Sequence, residues 1–190
     1  MKIHHPVELI EDANVALQIL KDGNERYLKG ELIQKDTYSA DRALLGSGQK
    51  PFAVVLTCSD SRAVPEIFFD QKLGDIFVIR NAGNIVDTTV LGSIEYATEH
   101  LKSRLVVVCG HSNCGAVTAA CSGGELPPNI KQLIAHILPA VKNGGNIDEA
   151  IHNNVKLMVD QIKADEIIKH LGVTVVGAYY DIKSGAVKWL

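Results

Sequence analysis

Four short apolar runs rich in β-branched residues stand out along the chain: "PFAVVLT" at 51–57, "DIFVIR" at 75–80, "RLVVVCG" at 104–110 and "VTVVGAYY" at 173–180. Each is too short for a core helix, and each reads as a strand buried on both faces. A fifth stretch, "AVKWL", follows the turn "DIKSG" and predicts a short antiparallel edge strand. Between the runs the apolar spacing becomes helical. Val90, Ile94, Ala97 and Leu101 mark a helix over 88–102, "CGAVTAAC" starts another at 114, and two more cover 130–142 and 148–170. Before the first run, Leu9, Ala13, Ala16, Leu17, Leu20 and Leu28 predict one or two helices over 8–29, interrupted by Gly23 and ended by Gly30, with a polar loop through Gly48. Strands alternating with helices predict an α/β fold with a mostly parallel sheet and helices on both faces.

A length of 190 residues suits one well-cored domain, read here as 1–190 with 1–48 forming an N-terminal helical arm. The formal net charge is −3 and the lysines are scattered, which argues against a nucleic-acid or membrane-surface partner. No apolar stretch has the length of a membrane span, and "MKIHHPVELIED" has no signal-peptide core. The expected location is the cytoplasm, with reduced thiols. Cys58, Cys109, Cys114 and Cys121 then read as core residues, metal ligands or reactive thiols before disulfides.

The polar chemistry gathers where strands end. "CSDSR" puts Cys58, Asp60 and Arg62 directly after the first run: a metal site, a nucleophile or a polar turn. "CGHSNCGAV" at 109–117 spaces His111 and Cys114 as H-x-x-C at the end of the third run, with Cys114 at the start of a helix whose dipole favours thiolate. If these two strands are neighbours, Cys58, His111 and Cys114 converge. Two thiolates and an imidazole make a catalytic-type zinc site with its fourth position left for water. Cys109, within a strand, and Cys121, on a helix, read as packing residues. A cysteine phosphatase would need arginine at position 64, which is Val64. No C-x-x-C redox pair and no phosphate-binding glycine loop is present.

"CSDSR" followed by "GHSNCG" resembles the β-class carbonic anhydrase family. "LGDIFVIRNAGN" at 73–84, "LGSIEYATEHLKSRLVVVCGH" at 91–111 and "GAYYDIKSGAVKWL" at the C-terminus extend the similarity over essentially the whole chain. The resemblance implies strand order 2-1-3-4 with an antiparallel fifth strand, and one zinc ion per chain on Cys58, His111 and Cys114. It implies reversible hydration of CO2 to bicarbonate and a proton by zinc-bound hydroxide. Asp60 and Arg62 become a dyad in which Asp60 accepts a hydrogen bond from the hydroxide; freed by Arg62, Asp60 would become a fourth ligand and close the site. Hydration is expected to rise with pH through the neutral to mildly alkaline range.

The family's plant-like subgroup is the better match, because the tryptophan that the other subgroup carries three residues before its first cysteine is Val55 here. In that subgroup the substrate pocket corresponds to Gln49, Phe77 and Tyr96, with Ala82 as apolar wall and the Gly115 N–H as a bicarbonate donor. Part of it comes from a neighbouring chain, so a homodimer or higher homo-oligomer is implied, with the N-terminal helices reaching to the partner. Two other functions remain open: hydrolysis of carbonyl sulfide or carbon disulfide on this scaffold, and a zinc-binding or redox-sensing protein without turnover. His4, His5, His100, His136, His152 and His170 have no matching partners and are expected to be surface or structural.

Overall fold

The computed structural model describes residues 9–33, 38–141 and 146–190; His4 and His5 lie outside them. The five expected strands form one sheet in the order β2-β1-β3-β4-β5. They are β1 (Ala53–Cys58), β2 (Ile76–Asn81), β3 (Leu105–His111), β4 (Thr174–Tyr180) and β5 (Val187–Trp189). The first four are parallel, and β5 pairs antiparallel to β4. β1 has β2 on one side and β3 on the other, so the chain's progression reverses direction there, which in open α/β sheets is where ligand crevices form.

Every residue of β1 and β3 is buried, as continuous apolar runs require. β2 departs from the expectation of a strand covered on both faces. It is the sheet edge, and its residues are half-buried or exposed. Alternation along β1 splits the core into two layers. Val54, Leu56 and Cys58 pack with Val106, Val108, Ile94, Ile151, Val155 and Met158 on one face. Val55, Val107 and Cys109 pack with Leu20, Phe68, Phe69 and Tyr180 on the other.

The helices are α1 (Ala13–Lys29), α2 (Tyr38–Leu45), α3 (Pro65–Phe68), α4 (Thr88–Glu95), α5 (Gly115–Ser122), α6 (Pro128–Ile137), α7 (Ile147–Ala164) and α8 (Glu166–His170). Several differ from the reading of spacing alone. α1 runs through Gly23 without a break. A Cβ there would fall 1.8 Å from the Phe69 carbonyl oxygen, so this glycine permits a close helix approach instead of ending a helix. α1 starts at the Asp12 cap, whose carboxylate accepts from Asn14 N at 2.8 Å, and ends at Gly30 in the left-handed region. Part of the expected loop before Gly48 is α2. The helix expected over 88–102 is α4 followed by a π-helical turn at Tyr96–His100. The one expected over 148–170 divides at Asp165, which is extended and caps α8 by accepting from Ile167 N and Ile168 N. No helix of the described residues is long and apolar enough to cross a membrane.

Candidate metal centre

Because β1 and β3 are adjacent, their C-terminal residues meet. Thr57 is level with Cys109, so Cys58 ends β1 just before His111 ends β3. Cys114 follows one short turn later as the residue that caps α5. The ligand atoms of Cys58, His111 and Cys114 all lie within 4.8 Å of one another, and all three residues are buried. This is the only such group of three or more metal-ligating side chains among the described residues.

The imidazole is oriented by its own strand end. His111 Nδ1 lies 2.9 Å from the Ser112 carbonyl oxygen. A carbonyl only accepts, so Nδ1 carries the proton and Nε2 is the atom presented to the cysteines. Nε2 is buried and has no partner with hydrogen-bond geometry. A buried ring nitrogen facing two sulfurs in this way fits a soft divalent cation. Zinc, with bonds of about 2.3 Å to sulfur and about 2.0 Å to nitrogen, suits two thiolates and one imidazole, and three protein donors are the number found in catalytic sites.

The electrostatics of the protein groups agree. Cys58 is lowered well below the usual thiol range, first by the hydrogen bond it receives from the Cys114 thiol; burial opposes this, and the nearby His111 ring and the N–H groups of Gly83 and Asp60 reinforce it. Cys114 is correspondingly pushed up by sharing that hydrogen with Cys58, and further by burial. Burial works to lower His111, but the Cys58 thiolate beside its ring and the Ser112 carbonyl outweigh it, and the net direction is up. Two thiols and one imidazole thus share protons that a bound metal cation would displace.

Asp60 and Arg62 form a closed unit beside this cluster. Arg62 donates from Nε to Oδ1 at 2.9 Å and from Nη2 to Oδ2 at 2.7 Å, a two-point fork, while Arg62 N also donates to Oδ1. The Arg62 side chain holds the Asp60 carboxyl well below the usual carboxylate range, and Arg62 itself is raised by Asp60. With both carboxylate oxygens engaged, Asp60 is not among the clustered ligand atoms.

Three residues that the motifs did not single out complete the surroundings. Arg80, at the end of β2, donates to the carbonyls of Cys58 at 3.0 Å and Asp60 at 2.8 Å, pinning the loop that carries both side chains. Gly83 N donates to Cys58 Sγ at 3.3 Å. Ser112 orients His111. Only Arg80 had a sequence signal, an arginine closing an apolar strand; the others act through backbone atoms.

The remaining expected residues divide into two groups. Ala82 and Gly115 are exposed and adjoin the cluster along the chain, next to Gly83 and Cys114. Phe77 and Tyr96 meet each other, with ring centroids 6.4 Å apart. Yet Phe77 stands four residues down β2 from Asn81, the residue level with Cys58, which is about 13 Å of strand. Gln49 lines a cavity of about 820 Å³ between α2 and the start of β2, with Tyr38, Arg42 and Lys72. That cavity is lined by none of Cys58, Asp60, His111 and Cys114. Within one chain, then, Gln49, Phe77 and Tyr96 are not assembled around the cluster.

The family profile described as "Carbonic anhydrase" matches residues 53–187. The chain is 40% identical to carbonic anhydrase 2 of Mycobacterium tuberculosis over 185 residues, covering 90% of this chain and 89% of that protein. It is 39% identical to a carbonic anhydrase of Mycolicibacterium smegmatis, covering 91% of each. Among solved structures, it is similar to a tetrameric β-carbonic anhydrase of Sordaria macrospora, with TM-score 0.74 and 26% identity over 93% of this chain and 97% of that one. The β-carbonic anhydrase of Coccomyxa, solved with acetazolamide, gives TM-score 0.74 and 26% identity over 92% and 86%. A buried two-cysteine, one-histidine cluster at the sheet's switch point, the salt-bridged Asp60 and Arg62 beside it, and a sequence match running through all five residues therefore place this chain in the β-carbonic anhydrase family.

Proposed function

We propose that the chain catalyses the reversible hydration of carbon dioxide to bicarbonate and a proton, with one zinc ion per chain held by Cys58, His111 and Cys114. One arrangement carries the reading: three buried soft donors in a single cluster, beside a carboxylate held at both oxygens by an arginine. Bound zinc would supply the Lewis acidity that makes a water nucleophilic near neutral pH. The protein groups do the rest. Asp60, kept ionised by Arg62, only accepts hydrogen bonds, so it takes the proton side of the attacking water and turns the lone pair toward CO2. Ala82 offers apolar wall, and the Gly115 N–H, at the start of α5, offers a donor to a bicarbonate oxygen. Release of the Arg62 fork would free Asp60 to join the donors and close the site. A purely structural zinc would have no use for this fork and would take four protein ligands.

The pocket is completed by a second copy of the chain. Gln49, Phe77 and Tyr96 lie away from their own chain's cluster, and β2 leaves a half-buried apolar edge, an arrangement that favours pairing with another chain. The tetrameric Sordaria relative supports such an assembly. Val55, in place of tryptophan, supports the plant-like subgroup. The need to keep Cys58 and Cys114 reduced for metal binding supports a cytoplasmic location.

The test is stopped-flow CO2 hydration with a pH indicator on protein analysed for zinc, at pH 7 and pH 8.5. Fast turnover rising with pH is expected. Stoichiometric zinc with no turnover at either pH would overturn the reading.

A further inference from the structure

α7 carries one polar residue inside its apolar face. Ile151, Val155, Met158 and Ile162 point into the core, and among them Asn154 is 1% exposed. Its Nδ2 donates to the Gly83 carbonyl at 2.9 Å, while its Oδ1 is buried with no hydrogen-bond partner. The unpaired buried amide oxygen is a cost that the bond from Nδ2 to the Gly83 carbonyl has to offset. One helical turn further on, Met158 Sδ accepts from Val86 N at 3.0 Å. α7 thus grips the loop after β2 at two points.

The residue held by Asn154 is the one that reaches the metal centre, for Gly83 N donates to Cys58 Sγ at 3.3 Å. Gly83 has φ +75°, and a Cβ there would fall 2.6 Å from Ile137 Cδ1, so any side chain here would strain the backbone and push the Ile137 methyl aside. The turn's aim therefore depends on what holds its carbonyl. The next residue, Asn84, also sits at positive φ and buries an unpaired Nδ2.

We propose that Asn154 is a positioning residue for Cys58: through the Gly83 carbonyl it aims the Gly83 N–H at the Cys58 sulfur and so sets how tightly the cluster holds zinc. This rests on the zinc reading above. Groups bonded directly to a metal ligand, as the Gly83 N–H is to Cys58, typically change metal affinity by about 10–100-fold when lost, and Asn154, acting through Gly83, takes the lower end of that range.

The experiment measures the zinc dissociation constant by competition with a chromogenic chelator, the urea midpoint of the zinc-free protein, and the thiolate-to-metal charge-transfer band of the cobalt-loaded protein. It compares wild type, Asn154→Leu and, as control, Asn153→Ala. Asn153 lies on the same helix but donates to Ala140 O, away from the cluster. Asn154→Leu is expected to weaken zinc binding by several-fold, up to about 10-fold, and to shift the cobalt band, beyond any change in the zinc-free urea midpoint. Asn153→Ala is expected to leave zinc binding unchanged. Wild type with one zinc per chain and Asn154→Leu equally tight would overturn the inference alone. So would a loss of zinc binding that only tracks a loss of zinc-free stability, with the cobalt band unmoved. Wild type that takes up no zinc would overturn the zinc reading and this inference with it. If Asn154→Leu does not fold, Asn154→Ala decides: zinc binding weakened beyond any change in zinc-free stability supports the inference, and an unchanged constant overturns it.

Discussion

Cys58 and Cys109 are both buried and stand on adjacent strands, one residue apart in register, yet they are opposite kinds of cysteine. Cys109 faces the layer of Leu20, Phe68, Phe69 and Tyr180, where burial pushes its thiol up to about 12. Cys58 faces the other layer at the strand's last position, where the Cys114 thiol and the Gly83 N–H reach its sulfur and bring its thiol well down against the opposing effect of burial. Residue type and burial are shared. What differs is the supply of donors, and in a parallel sheet donors collect at the C-terminal strand ends, where the chain turns toward helix N-termini.

The largest effect should come from exchanging the two. Cys58→Val is expected to abolish zinc uptake, measured by metal analysis, and to lower CO2 hydration on the order of 1000-fold or more. Cys109→Val should retain both; a Cys58→Val protein that keeps its zinc would erase the distinction. Next come changes that leave the donors alone. Asp60→Asn or Arg62→Ala should keep one zinc per chain and lower kcat/KM by about 100- to 1000-fold, because the orienting acceptor or its clamp is lost. A third change moves from the strand ends to the half-covered edge. Val78→Arg on β2 should shift the chain toward monomer in sedimentation velocity and cost roughly 10–100-fold in kcat/KM through misplaced pocket walls, with zinc retained.

The smallest effect separates the two thiols by pH. Cys109 has an ordinary value of 9.0 and is raised to about 12 in the fold. The unfolded chain gives up this proton first, so the stability linked to it is complete below about pH 9 and lost as pH rises toward 12. Tyr179, pushed up to about 12 by burial and by Asp148, acts in the same direction from its ordinary value of 10.0. Urea midpoints should therefore fall across this window, and Cys109→Val should make the fall shallower. An identical slope in wild type and variant would show that Cys109 contributes nothing to it.

Much of the fold was legible because its signals are local. A buried strand must be a short β-branched run, and the five runs gave five strands within a residue or two of the expected bounds. Cys58, His111 and Cys114 were legible for the same reason, since each sits at or just past the end of such a run. Gly23 was misread because spacing cannot show that the Phe69 carbonyl presses against that side of α1. Arg80 could be seen but not interpreted, since its contacts with the Cys58 and Asp60 carbonyls depend on the register of β2 against β1. Asn154 is one polar residue within a helical stretch, and only the packing of α7 over the loop after β2 gives its side chain a partner there.

The order of residues along the chain was enough for the strands, the parallel sheet and the two chemical motifs, because periodicity and the chemistry at a strand end are properties of a few consecutive residues. Three-dimensional packing settled the rest: which strands adjoin, which cysteine receives hydrogen bonds, which arginine holds which loop, and that Gln49, Phe77 and Tyr96 stand apart from their own chain's cluster. Each of these depends on contacts between segments tens of residues apart. No local pattern specifies such contacts, because they follow from how the two apolar layers close on the sheet.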